Sequence, residues 1–196
     1  MLTFAIAVFF LLITPGPGVM SVAGVGSAYG PRPGIRYMVG LFIGTNMVAL
    51  AVVSGMAAVI LANAEIRTVL LVASAGYLIF LALRIALSGT KVAFIEATKA
   101  PGIWGGLALQ AINPKAYAVN TALFTGFAFW PDSLVTETLL KFLIINAIWI
   151  PIHFLWLYAG ITLHRLDLPA KVQFRINIAM ALSMLAVVAL AALAPK

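Results

Sequence analysis

Residues 11–20 read LLITPGPGVM. An apolar run from Leu2 onward heads toward a membrane-spanning helix, and two prolines and two glycines then fall within the four positions Pro15 to Gly18. Proline removes an intrahelical hydrogen bond and pushes the residue before it out of the helical region, so the helix must open here. Lipid cannot satisfy the backbone groups that such an opening frees. In a membrane protein they are tolerated only where they line protein or a wet cavity.

The surrounding composition places the break in a membrane. Of 196 residues, 64% are hydrophobic and 9% charged, with mean hydropathy +1.13, whereas soluble domains carry roughly one quarter charged residues. The fold class expected is an all-α integral membrane protein. Apolar stretches of spanning length, about 20 residues, fall near 3–29, 37–61, 67–88, 103–130, 138–160 and 174–193. The longest polar connector, Gly89 to Pro101, is too short to bury a core of its own, so residues 1–196 read as a single transmembrane domain. No cysteine is present, which excludes disulfide and thiolate chemistry. No metal site or cofactor is expected. The N-terminus lacks a basic region and a small-residue cleavage site before Thr14, so residues 2–13 are expected to stay in the folded protein.

The net charge of +7 is spread over connectors and forms no nucleic-acid patch. It reads as topology. With the N-terminus outside, Arg32, Arg36, Arg84, Lys91, Lys99, Arg165, Lys171 and Arg175 are cytoplasmic, and Arg67, Lys141 and Lys196 are external. That asymmetry follows the positive-inside rule and gives an N-out, C-out protein of six helices.

A second break, ALQAINPKAYAVNTALF at 108–124, interrupts the fourth span with Asn113-Pro114 and a lysine. At about 1.5 Å per residue, Thr14 lies roughly 18 Å along its span from the outer face and Asn113 roughly 16 Å from the inner face. Both breaks reach the midplane. Each opens the first helix of a three-helix unit, which predicts inverted repeats over about 1–95 and 100–196. Paired interrupted helices in inverted halves point to a transporter binding site. Asn46 and Asn146 extend the register to a second helix pair.

Thr14 and Asn113 are expected as N-caps with Pro15 and Pro114 at the first helical positions. The unsatisfied N–H groups and positive dipole ends of the two half-helices would suit a substrate carboxylate. Gly16 and Gly18, together with Pro17, complete the first candidate binding segment, and glycine lets a ligand approach the backbone. Lys115 is the most deeply placed charge and a candidate for carboxylate pairing or proton transfer. His153, after Pro151, is the second proton-coupling candidate. Asn46, Asn146, Asn120, Thr45, Thr121 and Tyr117 are polar groups at span depth, with Asn46 the best ligand candidate among them. Gly40 and Gly44 form a small-residue packing motif expected to act within the bundle. Trp104, Trp130, Trp149 and Trp156 read as interfacial or packing residues.

TPGP at 14–17, GPRPG at 30–34, GLFIGTN at 40–46, GYLIFLALRIA at 76–86 and NPKAYAVNTALF at 113–124 together resemble the LysE/RhtB family of bacterial amino-acid exporters. The specific part of the resemblance covers about residues 10–125. It implies a six-helix secondary transporter of the bacterial inner membrane, driven by an ion gradient, proton or sodium. The family signature falls on Thr14, Pro15, Gly16 and Pro17, and on Asn113, Pro114 and Lys115. The chain departs from the pattern where many members carry an acidic residue after the span-two glycine, since it has Gly44-Thr45-Asn46. Its sixth span also lacks glycines.

The expected function is export of amino acids or close derivatives by alternating access, with the lipid bilayer and a small-molecule substrate as partners and a homo-oligomer as a further option. Three alternatives compete. A channel would want a ring of charges or a repeated filter, and neither is visible. An intramembrane serine hydrolase would pair Ser27 with His153. A scaffolding membrane protein would need no polar cavity.

Overall fold

The computed structural model describes residues 1–14, 16–55, 63–86, 100–166, 169, 171–172, 174–176, 178–179 and 182. Pro15, the connector carrying Lys91 and Lys99, the end of the second expected span, most of the sixth and Lys196 lie outside these. The described residues form helices and contain no strand: α1 (Leu2–Ile13), α2 (Pro17–Tyr29), α3 (Pro31–Val53), α4 (Ala64–Ala86), α5 (Ile103–Ile112), α6 (Pro114–Thr125) and α7 (Leu134–Arg165). Among them α3 and α7 are each long and apolar enough to cross a membrane, and α1 with α2, bent by 50° at the first break, makes a third such unit. Large apolar side chains such as Leu2, Phe10, Leu50, Val72, Leu134 and Leu143 face outward. Exposed apolar surface on this scale suits lipid and not water.

The first break does not begin its second half-helix where the sequence suggested. Thr14 is the C-terminal cap of α1, with its hydroxyl turned back to the Phe10 carbonyl at 2.6 Å. Gly16, fully extended at φ −163° and ψ 178°, caps α2, and Pro17 is the first helical residue. The reason is the second proline. A helix starting at Pro15 would hold Gly16 in helical geometry directly before Pro17, which the proline ring disfavours. The helix can start only at the last proline.

The second break behaves as expected. Asn113 caps α6 in extended geometry, its side chain accepts from the Lys115 N–H, and Pro114 follows at the first turn. At the α2–α3 corner Gly30 takes φ 80°, a left-handed conformation that glycine adopts without strain, and Pro31 opens α3.

Two close helix contacts set the site. α3 packs most extensively on α5, and α2 on α7. A Cβ on Gly40 would run into the Ile103 carbonyl, and one on Gly106 into the Tyr37 carbonyl, so these glycines let α3 and α5 touch backbone to backbone. Gly160 does the same for α7 against the Ala23 carbonyl of α2. Gly40 therefore acts within the bundle, as its motif predicted. Asn46 and Asn146 exchange two hydrogen bonds, at 3.0 and 2.9 Å, and tie α3 to α7.

Lys141, expected as an external charge, and Glu137 one turn before it are both buried. They pair at 2.8 Å. The second Glu137 oxygen accepts from the Phe129 and Trp130 N–H groups at 2.9 and 2.7 Å, and Lys141 donates to the Phe124 carbonyl in the last turn of α6. The rings of Phe4, Phe124 and Phe129 surround the ammonium at about 6 Å. Burial is tolerable because nearly every polar atom of the pair has a partner.

Candidate functional site

The two breaks meet. Lys115 Nζ donates to the Thr14 carbonyl at 2.9 Å across a separation of 101 residues, so the lysine of the second break closes on the backbone freed by the first. An open-mouthed cavity lies around this contact. Leu11 and Leu12 of α1 and Val119 of α6 supply apolar wall, and Thr14, Gly16 and Gly18 line it from the first break. Asn113 and Lys115 line it from the second, Thr45 from α3, and Trp149 and His153 from α7.

Each half of the site has a local cause. Gly16 makes room for the lysine: a Cβ there would lie 2.8 Å from Lys115 Nζ and 2.9 Å from its Cδ. Gly18 is looser, with a Cβ meeting His153 Nε2 at 3.7 Å and Gln110 Oε1 at 3.9 Å. On α7, His153 is stacked on Trp149 with ring centroids 3.5 Å apart and planes within 11°, and its Nδ1 contacts the Trp149 carbonyl at 3.0 Å. A carbonyl only accepts, so Nδ1 carries the hydrogen, and in the neutral ring Nε2 is a bare acceptor.

Two residues that sequence reading passed over belong to the cavity. Gln110 is buried, with its Oε1 accepting from Asn113 Nδ2 at 2.9 Å. Gly44 admits it, since a Cβ there would sit 2.6 Å from the Gln110 Cβ. Trp149, read as packing, is the platform for His153. Asn120 also lines the cavity, its amide donating to the Ala116 carbonyl at 2.8 Å.

Of the residues singled out in advance, Thr14, Gly16, Gly18, Asn113, Lys115 and His153 come together at the cavity. Pro17 and Pro114 open the half-helices behind it, and Pro15 lies outside the described residues. Asn46 is not brought to the cavity. Its amide is spent on Asn146, and the wall beside it is formed by Thr45. Ser27 and His153 are kept apart, because His153 faces Gly18, and Ser27 lies nine residues further along α2, about 13.5 Å at 1.5 Å per residue. No hydrolase dyad forms from them. Among the described residues no group of acidic, histidine or cysteine side chains is arranged to hold a metal.

An apolar helical bundle whose interrupted helices turn toward each other around a polar, cation-bearing cavity is the architecture of a membrane transporter. The chain belongs to the LysE type translocator family, whose model matches residues 9–194. The resemblance carried by TPGP and NPK is thereby borne out. No curated protein and no solved structure matches the chain.

Proposed function

We propose that this protein exports amino acids or close derivatives across the bacterial inner membrane by alternating access. Six spans would form two inverted three-helix halves, with both termini outside and the basic connectors in the cytoplasm. The observation that carries the reading is the contact of Lys115 with the Thr14 carbonyl, which joins two helix breaks at one polar cavity. A site built on interrupted helices offers backbone groups and dipole ends to a ligand without burying a second charge.

The two ends are unequal as anion sites. At α6 the Lys115 N–H is taken by the Asn113 side chain, and the Ala116 N–H by the Asn113 carbonyl at 3.0 Å. α2 begins with a glycine cap that has no side chain to offer. The substrate carboxylate is therefore assigned to the first turn of α2, at Gly16, Gly18 and Val19, with Lys115 beside it. Lys115 and His153 are the groups that would couple transport to a proton gradient, and sodium is the other candidate ion.

The test is efflux from preloaded proteoliposomes against a panel of amino acids. Wild type should export at least one of them, and Lys115→Met, which keeps the apolar stem and loses the ammonium, should lower efflux by at least about tenfold, ~1.4 kcal/mol. Lys115→Arg should be impaired too, because a planar guanidinium does not reproduce a compact ammonium. Efflux by Lys115→Met within about twofold of wild type, under ~0.5 kcal/mol, would mean that the lysine's charge takes no part.

A further inference from the structure

A zwitterionic substrate brings an ammonium as well as a carboxylate, and no acidic side chain lines the cavity among the described residues. We propose that Gln110 and His153 together form the subsite for the substrate's ammonium group, a pair of neutral acceptors facing Gly18. The proposal rests on the amino-acid exporter reading and deepens it.

A chain of hydrogen bonds fixes which atoms face the cavity. The Lys115 N–H can only donate, so the Asn113 atom that it reaches at 3.1 Å is Oδ1. Asn113 Nδ2 is then the donor to Gln110, at 2.9 Å, and the Gln110 atom receiving it is Oε1. A carbonyl oxygen has two lone pairs, and one bond leaves the second free. On the other side, the Trp149 carbonyl holds the hydrogen of His153 on Nδ1, so Nε2 presents a lone pair. No hydrogen bond is made by Nε2 among the described residues, although His153 is only 3% exposed.

Both acceptors bound the space off the Gly18 α-carbon, 3.7 and 3.9 Å from where a Cβ would stand. An ammonium there is offered two acceptors, at the end of α2 where Gly18 and Val19 line the cavity, and a carboxylate on the same ligand can reach that first turn. The stack on Trp149 prevents the imidazole from turning away. Gly44 keeps α3 from displacing Gln110. Together they explain how the site manages without the acidic residue that the Gly44-Thr45-Asn46 stretch lacks.

The experiment measures equilibrium competition for the purified protein against labelled substrate, a readout that coupling at Lys115 or His153 does not enter. The competitors are the amino acid that wild type exports, its des-amino carboxylate and its decarboxylated amine. For leucine these are isocaproate and isoamylamine. Wild type should bind the amino acid more tightly than the des-amino acid by about tenfold or more, the size of one charge-assisted hydrogen bond. His153→Phe keeps the ring stack and removes the acceptor, and Gln110→Met keeps the volume. Each should bring the amino acid down to the level of its des-amino analogue while leaving that analogue unchanged. His153→Gln, whose Oε1 falls near the Nε2 position, should restore part of the preference.

Equal losses for the amino acid and the des-amino acid would overturn the proposal, because they would report a collapsed cavity. Unchanged preference in both variants would overturn it as well and place the amine elsewhere. A wild-type protein that exports no amino acid at all would instead remove the exporter reading, and the subsite with it.

Discussion

The two helix breaks differ in how they are finished. The first is open: its cap is Gly16, and the partner of its Thr14 carbonyl comes from the other break. The second is closed on itself, because Asn113 occupies the Lys115 N–H with its side chain and the Ala116 N–H with its carbonyl. Equal interruptions in sequence thus become unequal sites. A self-capped helix start has few donors left for a ligand, whereas a glycine-capped one keeps them. The second break therefore serves as a holder of side chains, presenting Lys115 in one direction and orienting Gln110 in the other.

The largest effect that separates the breaks should come from Gly16→Ala. The added methyl collides with the far end of a flexible lysine and not with backbone, so the protein should stay folded and melt near the wild-type temperature. Efflux should fall about tenfold or more, ~1.4 kcal/mol, because Lys115 is driven off the Thr14 carbonyl. Near-normal efflux would show that this contact is dispensable, and the contrast between the breaks would lose its functional meaning.

A smaller, mixed effect is expected at the second break. Asn113→Ala removes a helix cap, which costs about 1 kcal/mol, and also releases Gln110. Asn113→Asp keeps the capping oxygen, replaces the amide donor by a carboxylate and adds a negative charge that the helix N-terminus favours. Thermal unfolding in detergent should find the aspartate variant near wild type and the alanine variant less stable, with efflux impaired in both. If the aspartate variant transported normally, the orientation of Gln110 by Asn113 would not matter.

The smallest transport effect should follow substitution of the asparagine pair. Asn46→Ala and Asn146→Ala should each leave efflux within about twofold, ~0.4 kcal/mol, since the pair is removed from the cavity. A double-mutant cycle on stability should give a coupling of about 0.6–2 kcal/mol, the range for interhelical polar contacts in membranes. A large loss of efflux in Asn46→Ala alone would return Asn46 to the ligand.

The breaks, their prolines, the Asn113 cap and Lys115 were legible in the sequence because each depends on its immediate neighbours. The start of α2 was misplaced by two residues, although the rule that decides it, the restriction on a residue before proline, acts within the same four residues. Gln110 was illegible for a different reason. A lone glutamine in an apolar run says nothing until Gly40 and Gly44 of another helix bring α3 against it. Trp149 and His153 are four apart on α7, so the stack lay within reach of helical spacing, but its aim at Gly18 depends on Gly160 meeting α2. The burial of Glu137 and Lys141 was hidden because composition near a span end suggests water, whereas the rings of Phe4 and Phe124 come from elsewhere in the chain.

The contact between Asn46 and Asn146 has a property that ordinary side-chain pairs lack: each amide gives one hydrogen and takes one, so the two ends are interchangeable. A residue makes such a contact with its own copy across a two-fold axis. A polypeptide of half this length carrying one of these asparagines could satisfy it by pairing with a second molecule of itself, with no other sequence change needed to create a partner. Joining two such copies end to end would preserve the bond while freeing the remaining positions to diverge.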